Sequence, residues 1–227
     1  MKLLSKERLK WVYSIGIIAL ISLFCLAPLY WIVITSFKTP GTEFRKPVEY
    51  WPSSFSLESY GVILGPQFRI QNAIKNSFIV SSAVTFGALL VTSLSAYTIA
   101  RLRFKYKIES LILIQLAGMV PPIVTIAPTF VLIRSMGLLQ TLWGLIIPNI
   151  AYNIPIGTWL MAAYFAGLPT DLEDAAKVDG YPPFSTFWRV IIPLAAPGLF
   201  SAGVLAFLGS WGEFMLALTI SLGLPSA

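Results

Sequence analysis

Charged residues are spaced along this chain so that long apolar runs alternate with short polar connections. A helix needs about 20 mostly apolar residues to cross a bilayer core, and five windows meet that length. Trp11 to Phe37 is uncharged between Lys10 and Lys38, Asn76 to Ala100 between Lys75 and Arg101, and Ser110 to Ile133 between Glu109 and Arg134. Ser135 to Thr170 is also uncharged, with its apolar centre at Leu142 to Phe165, and a fifth run extends from Val190 to Gly212. Phe214 to Ala227 is too short to span and contains Gly223 and Pro225, so it predicts the start of an external loop. The pattern predicts an all-α polytopic membrane protein with five transmembrane helices. Residues 1–37 hold a cytoplasmic N-terminal segment and the first helix, and 38–71 form an external loop rich in proline and interfacial aromatics. Residues 72–227 form the transmembrane core, with spans at about 76–100, 110–133, 142–165 and 190–212.

Composition agrees with a bilayer solvent. The 227 residues are 56% hydrophobic and 11% charged, against roughly 25% charged in an ordinary soluble domain. The chain has no histidine and one cysteine, which removes imidazole bases, most zinc-ligand sets and internal disulfides. Hydrolytic and metal chemistry are therefore disfavoured. Cys25 reads as a small lipid-facing or packed apolar residue, and the bulky Leu23 and Phe24 before it do not suit lipoprotein processing.

The net charge of +6 is first a statement about topology, because basic residues accumulate on cytoplasmic loops. With the N-terminus inside, the internal segments hold Lys2, Lys6, Arg8, Lys10, Arg101, Arg103, Lys105, Lys107, Lys177 and Arg189. The external segments hold only Lys38, Arg45, Lys46, Arg69, Lys75 and Arg134. The bias predicts an N-terminus inside and removes the motive for a nucleic-acid partner. The first uncharged run, 27 residues, is too long for a signal peptide's apolar region, so it reads as a retained anchor.

Between the fourth and fifth spans, Pro169 to Pro183 breaks the charge pattern. Asp171, Glu173, Asp174 and Asp179 outweigh Lys177, giving an internal loop with net negative charge. Thr170 followed by Glu173 predicts a capping box at a helix start. Gly180 predicts its stop, since glycine closes a helix in the left-handed conformation, and Pro182 and Pro183 prevent continuation. A second helix starting near Pro183 would carry Phe184, Phe187 and Trp188 into the fifth span.

The run Asp174-Ala175-Ala176, three residues, Gly180, nine residues, then Val190-Ile191-Ile192-Pro193 resembles the E-A-A-x-x-x-G-x9-I-x-L-P loop of binding-protein-dependent ABC transporter permeases. Asp174 stands where that pattern has Glu, and the neighbouring Glu173 is a substitute carboxylate. Asn76-Ser77, Ala96-Tyr97, Phe104, Met119 to Pro122, Gly137-Leu138, Pro155, Trp159 and Trp211-x-Glu213-Phe214 extend the likeness to the carbohydrate-uptake subgroup. There the chain is similar to the second permease subunit of maltose-type importers, although Gly212 replaces the usual Asn. The resemblance implies a type I ABC importer permease fold in the cytoplasmic (inner) membrane of a bacterium or archaeon. It implies four kinds of neighbour: a second permease subunit, a dimeric cytoplasmic ATPase, an extracytoplasmic solute-binding protein and membrane lipid. It assigns ATPase coupling to Glu173, Asp174, Ala175, Ala176, Asp179, Gly180 and Pro193. The family ends on a sixth span, and this chain stops where that span is expected, so the sixth helix is read as missing.

No G-x-x-x-x-G-K-[ST] phosphate loop occurs, so ATP and Mg are expected on the separate ATPase and no cofactor on this chain. Within the spans, Gln115, Asn149, Tyr152 and Asn153 are the candidates for a substrate pathway, and interhelical hydrogen bonding is their competing role. Pro121, Pro122, Pro128, Pro148, Pro155, Pro193 and Pro197 predict breaks in three successive spans. Glu213 is compatible with gating, partner contact or plain solvation. The expected function is the permease subunit of an ATP-driven importer for a sugar or oligosaccharide, working by alternating access. The alternatives are an ion-coupled secondary carrier, which would place ionisable groups inside the spans, and a membrane enzyme.

Overall fold

The computed structural model describes residues 6–43 and 46–221. Lys2 and Arg45 of the charge count, and Gly223 and Pro225 of the expected terminal loop, lie outside them. Among the described residues every regular element is helical: α1 (Lys6–Ser36), α2 (Glu58–Ile63), α3 (Ile70–Arg101), α4 (Lys107–Gly118), α5 (Pro122–Ser135) and α6 (Leu142–Ala166). Then come α7 (Asp171–Val178), α8 (Pro183–Thr186), a π-helical turn (Phe187–Ile191), α9 (Ile192–Leu194), α10 (Ala196–Trp211) and α11 (Met215–Ser221). The chain divides into two compact units, Met1–Gln71 and Asn72–Ala227.

The first unit is α1 and the irregular segment after it. Lys38, just past α1, is 3% exposed. Its ammonium donates to the Glu49 carbonyl at 2.7 Å and lies 4.6 Å from the Trp31 ring centroid. Phe37 packs on Phe55 and Tyr60. The segment read as a loop of interfacial aromatics thus folds back on the end of its own helix.

In the second unit α6 is the central helix. Apolar burial does not drive helices together in lipid, so association relies on close approach at small residues and on hydrogen bonds between helices. A Cβ at Gly157 would meet Thr92 of α3 at 2.7 Å, at Gly198 of α10 it would meet the Tyr164 ring at 2.6 Å, and at Gly118 of α4 it would meet Pro155 at 2.6 Å. Three helices therefore approach α6 through glycines. Outward side chains are apolar, with Phe86 74% and Phe200 75% exposed, as a lipid-facing surface requires.

The five expected windows fall on helices of two kinds. α1, α3 and α6 are each long and apolar enough to cross a membrane. The window expected at Ser110–Ile133 is the pair α4 and α5, bent by 90°, and that at Val190–Gly212 falls on a pair bent by 79° between Leu194 and Ala196. Pro121 and Pro122 remove two successive backbone donors at the first bend. At the second, Pro197 has no donor and its ring opposes the carbonyl four residues back. Pro193 lies on α9 just before this second bend, whereas Pro128 inside α5 and Pro148 and Pro155 inside α6 break nothing.

The tail is also corrected. Glu213 accepts from the Leu216 and Ala217 amides at 2.8 and 3.0 Å, satisfying donors at the start of α11. Leu216 and Ile220 are buried with Ile133, so this stretch is a packed helix and not the start of a loop.

Candidate functional site

The acidic loop forms α7, and its C-terminal stop has the expected geometry. Gly180 has φ +80°. Its amide donates to the Lys177 carbonyl at 3.0 Å, and the Tyr181 amide to Ala176 at 2.9 Å, the paired bonds of a Schellman motif. Gly137 repeats the device at the end of α5, with φ +68°.

The capping box does not form. Thr170 has helical backbone angles and its side chain makes no capping bond, and the Glu173 carboxylate is turned away from the Thr170 amide toward Arg101. Glu173 Oε1 lies 3.5 Å from Arg101 Nε, the two side chains being 16% and 5% exposed. Arg101 Nη2 donates to the Leu168 carbonyl at 2.7 Å and reaches that of Pro169 at 3.4 Å. Tyr97 faces the same Glu173 carboxylate. Tyr97 and Arg101 stand four residues apart at the end of α3, so they share one helical face. Around them the Tyr97 ring packs on Phe165 and Phe187 at centroid distances of 5.9 and 4.9 Å.

α7 therefore has two faces. Glu173 and the 4% exposed Ala176 point into the protein. Asp171, Asp174, Ala175 and Val178 point out, and Val178 is 88% exposed. Tyr181 and Phe184 continue this apolar strip, Phe184 being 69% exposed. Of the two neighbouring carboxylates, Glu173 faces Arg101 and Asp174 faces outward. The latter bonds Lys177 at 2.8 Å, and the ammonium's hydrogen bond and charge hold the Asp174 carboxyl below its ordinary range while raising Lys177. Asp179 is exposed at the helix end, and Pro193 is exposed on α9 before the bend.

The four polar residues of the spans divide. Gln115 Nε2 donates to the Pro155 carbonyl at 2.7 Å, joining α4 to α6. The Tyr152 hydroxyl lies 3.0 and 3.1 Å from those of Thr125 and Thr129, joining α6 to α5. Asn149, 4% exposed, donates to Leu145 in its own helix, and Asn153 to Asn149. Of the four, Asn153 alone lines the narrow cavity between α3, α6 and α10, beside Thr92, Gly157 and Ala206.

Sequence reasoning missed Arg101, Tyr97 and the outward strip of Val178, Tyr181 and Phe184. Arg101 had been counted only as topological charge. Its spacing from Tyr97 was the available signal.

Comparison with known proteins is consistent along the chain. Residues 88–227 match the family described as binding-protein-dependent transport system inner membrane component. The sulfoquinovosyl glycerol transport system permease of Agrobacterium fabrum is 35% identical over 86% of this chain and 68% of its own length. The trehalose/maltose transport system permease of Thermococcus litoralis is 34% identical over 94% of this chain and 76% of its own. The trehalose transport system permease of Mycobacterium tuberculosis is 36% identical over 87% and 71%. A crystal structure of a bacterial ABC transporter involved in import of the acidic polysaccharide alginate shares the fold, with TM-score 0.66 and 24% identity over 97% of this chain and 77% of that one. These relatives give no support to an ion-coupled carrier. The chain is membrane-embedded and non-catalytic, and it belongs to the family of binding-protein-dependent transport system inner membrane components, the permease subunits of ABC transporters.

Proposed function

We propose that this permease moves a sugar or oligosaccharide inward, receiving it from a solute-binding protein and using ATP hydrolysed, with Mg, by a separate dimeric ATPase. The observation that carries the substrate class is the naming of the relatives. Three permeases at 34–36% identity serve transport systems for glycosides or disaccharides. A second permease subunit completes the translocation pathway.

The outward face of α7 suits docking on the ATPase. Asp171 and Asp174 offer charge for cations, and Ala175 allows close approach. Val178, Tyr181 and Phe184 leave an apolar strip that a partner groove would cover. The excess of basic residues on one set of loops supports an N-terminus inside the cell, with the acidic loop on the same side. The two bent pairs, each counted as one crossing, support five spans. Asn153, which lines the cavity between α3, α6 and α10, is the candidate for contact with a sugar hydroxyl once the pathway opens, while Gln115 and Tyr152 hold helices together.

The test is uptake of labelled trehalose and maltose by vesicles holding the full complex, with ATPase wild type or inactivated. Uptake that requires the active ATPase is expected, with Asn153→Ala lowering it more for one sugar than the other. Uptake driven by an ion gradient without ATP would overturn the reading.

A further inference from the structure

The Arg101 cluster joins three elements at the inner ends of the helices. The guanidinium is at the last residue of α3, and its side chain is 5% exposed. It holds two carbonyls of the connection that leads from α6 into α7, at Leu168 and Pro169, and it faces the Glu173 carboxylate of α7 itself. Arg101 Nε and Glu173 Oε1 are both buried with no hydrogen-bond partner. At 3.5 Å they are held by charge across a gap slightly too long for a good bond. Such a pair cannot be parted without leaving an uncompensated buried charge. Motion of α7 must therefore either pull α3 with it or break the pair.

α3 is also a wall of the inner cavity. Thr92 and Ala88 line it opposite Asn153 and Gly157, and Ser95, one turn nearer Arg101, lies 3.1 Å from Thr158 of α6 by their hydroxyls. A rigid helix anchored at Arg101 thus carries displacement of the loop to the cavity wall at Thr92 in about two and a half turns. The route through α8, the π turn and α9 is interrupted by the 79° bend before α10, whereas α3 is unbroken from Ile70 to Arg101.

We infer that Arg101 is a positioning residue that transmits movement of the α7 loop into α3 and so to the cavity beside Asn153. The inference rests on the proposed coupling of α7 to an ATPase, and its test separates the two. In the full complex on a Cys25→Ser background, Thr92→Cys reports the cavity wall through its reaction with a water-soluble maleimide, with and without ATP. With Arg101 and Glu173 intact, the labelling rate changes with ATP. Arg101→Lys keeps the charge but loses the fork that meets the carbonyls through Nη2 and Glu173 through Nε, and Glu173→Gln keeps the shape but loses the charge. Each variant is expected to co-purify with the ATPase and still hydrolyse ATP, while the ATP-dependent change in labelling disappears and sugar taken up per ATP falls about tenfold. Should Arg101→Lys fail to assemble, Glu173→Gln decides the matter alone. Variants that keep both the labelling change and normal uptake per ATP overturn the inference and leave the importer reading standing. A complex with both residues intact that shows neither ATP-dependent labelling nor uptake overturns both.

Discussion

The two faces of α7 are eight residues of one helix doing opposite physical work. On the inner face a glutamate and an alanine are enclosed: Glu173 meets the buried Arg101, and Ala176 is 4% exposed. On the outer face the aspartate and alanine that lie between them, Asp174 and Ala175, are exposed, and the Asp174–Lys177 pair has side chains 71% and 68% exposed. The inner pair is out of water, where an ion pair is strong and costly to break. The outer pair is in high dielectric, where its contribution to stability is small. The inner face therefore fixes where the helix sits, and the outer face is left free for recognition.

The sharpest way to break this contrast is to enlarge each alanine separately. Ala176→Leu overpacks a closed space and should cost about 1–3 kcal/mol, seen as a lower melting temperature of the permease purified without its ATPase. Ala175→Leu, one residue earlier, should leave that melting temperature within error and weaken only ATPase binding. Equal destabilisation by both would show that α7 does not have a committed inner face.

Next in size is the stop at Gly180. No heavy atom lies within 4 Å of the position a Cβ would take, and φ is +80°, so only the backbone objects to a side chain there. Gly180→Val should cost about 1–2 kcal/mol of left-handed strain, turning Tyr181 and Phe184 off the strip and lowering uptake per ATP. Gly180→Asn, which tolerates this conformation, should do much less. Comparing the two in the same vesicle assay checks that conformation, and not bulk, is what the glycine supplies.

Much of this was legible in the sequence, and the misses share a cause. Uncharged windows located the apolar segments because lipid excludes charge over a fixed thickness, and Gly180 announced its turn because few residues accept that φ. Proline was read too uniformly. Pro148 sits inside α6 without breaking it, since transmembrane helices tolerate a single missing donor. Pro121 and Pro122 remove adjacent donors, and there the helix breaks. Glu173 failed as a capping residue for a similar reason. A capping box is a local bond, and a buried guanidinium from 72 positions earlier (173 − 101) offered the carboxylate a stronger partner. Local spacing reveals local bonds, and it is silent when a distant charge outbids them.

The smallest effect concerns the outer pair. The three aspartates of the chain, Asp171, Asp174 and Asp179, all lie in this loop, so aspartate-selective 13C labelling gives three carboxyl signals that can be titrated separately. The Lys177 hydrogen bond and charge lower the Asp174 midpoint. Whatever stability the pair supplies is present above the ordinary aspartate range and is lost as pH falls through that lowered midpoint. Lys177 is raised by the same contact, so the pair is next lost only when pH climbs past the lysine range. Between those limits its state is constant, and no pH dependence of uptake near neutrality should arise from it. In the Lys177→Met variant the Asp174 signal should titrate at higher pH, while the permease melting temperature at neutral pH barely moves. If that substitution lowered the melting temperature as much as Ala176→Leu does, the outer face would be structural too, and the division of labour across α7 would collapse.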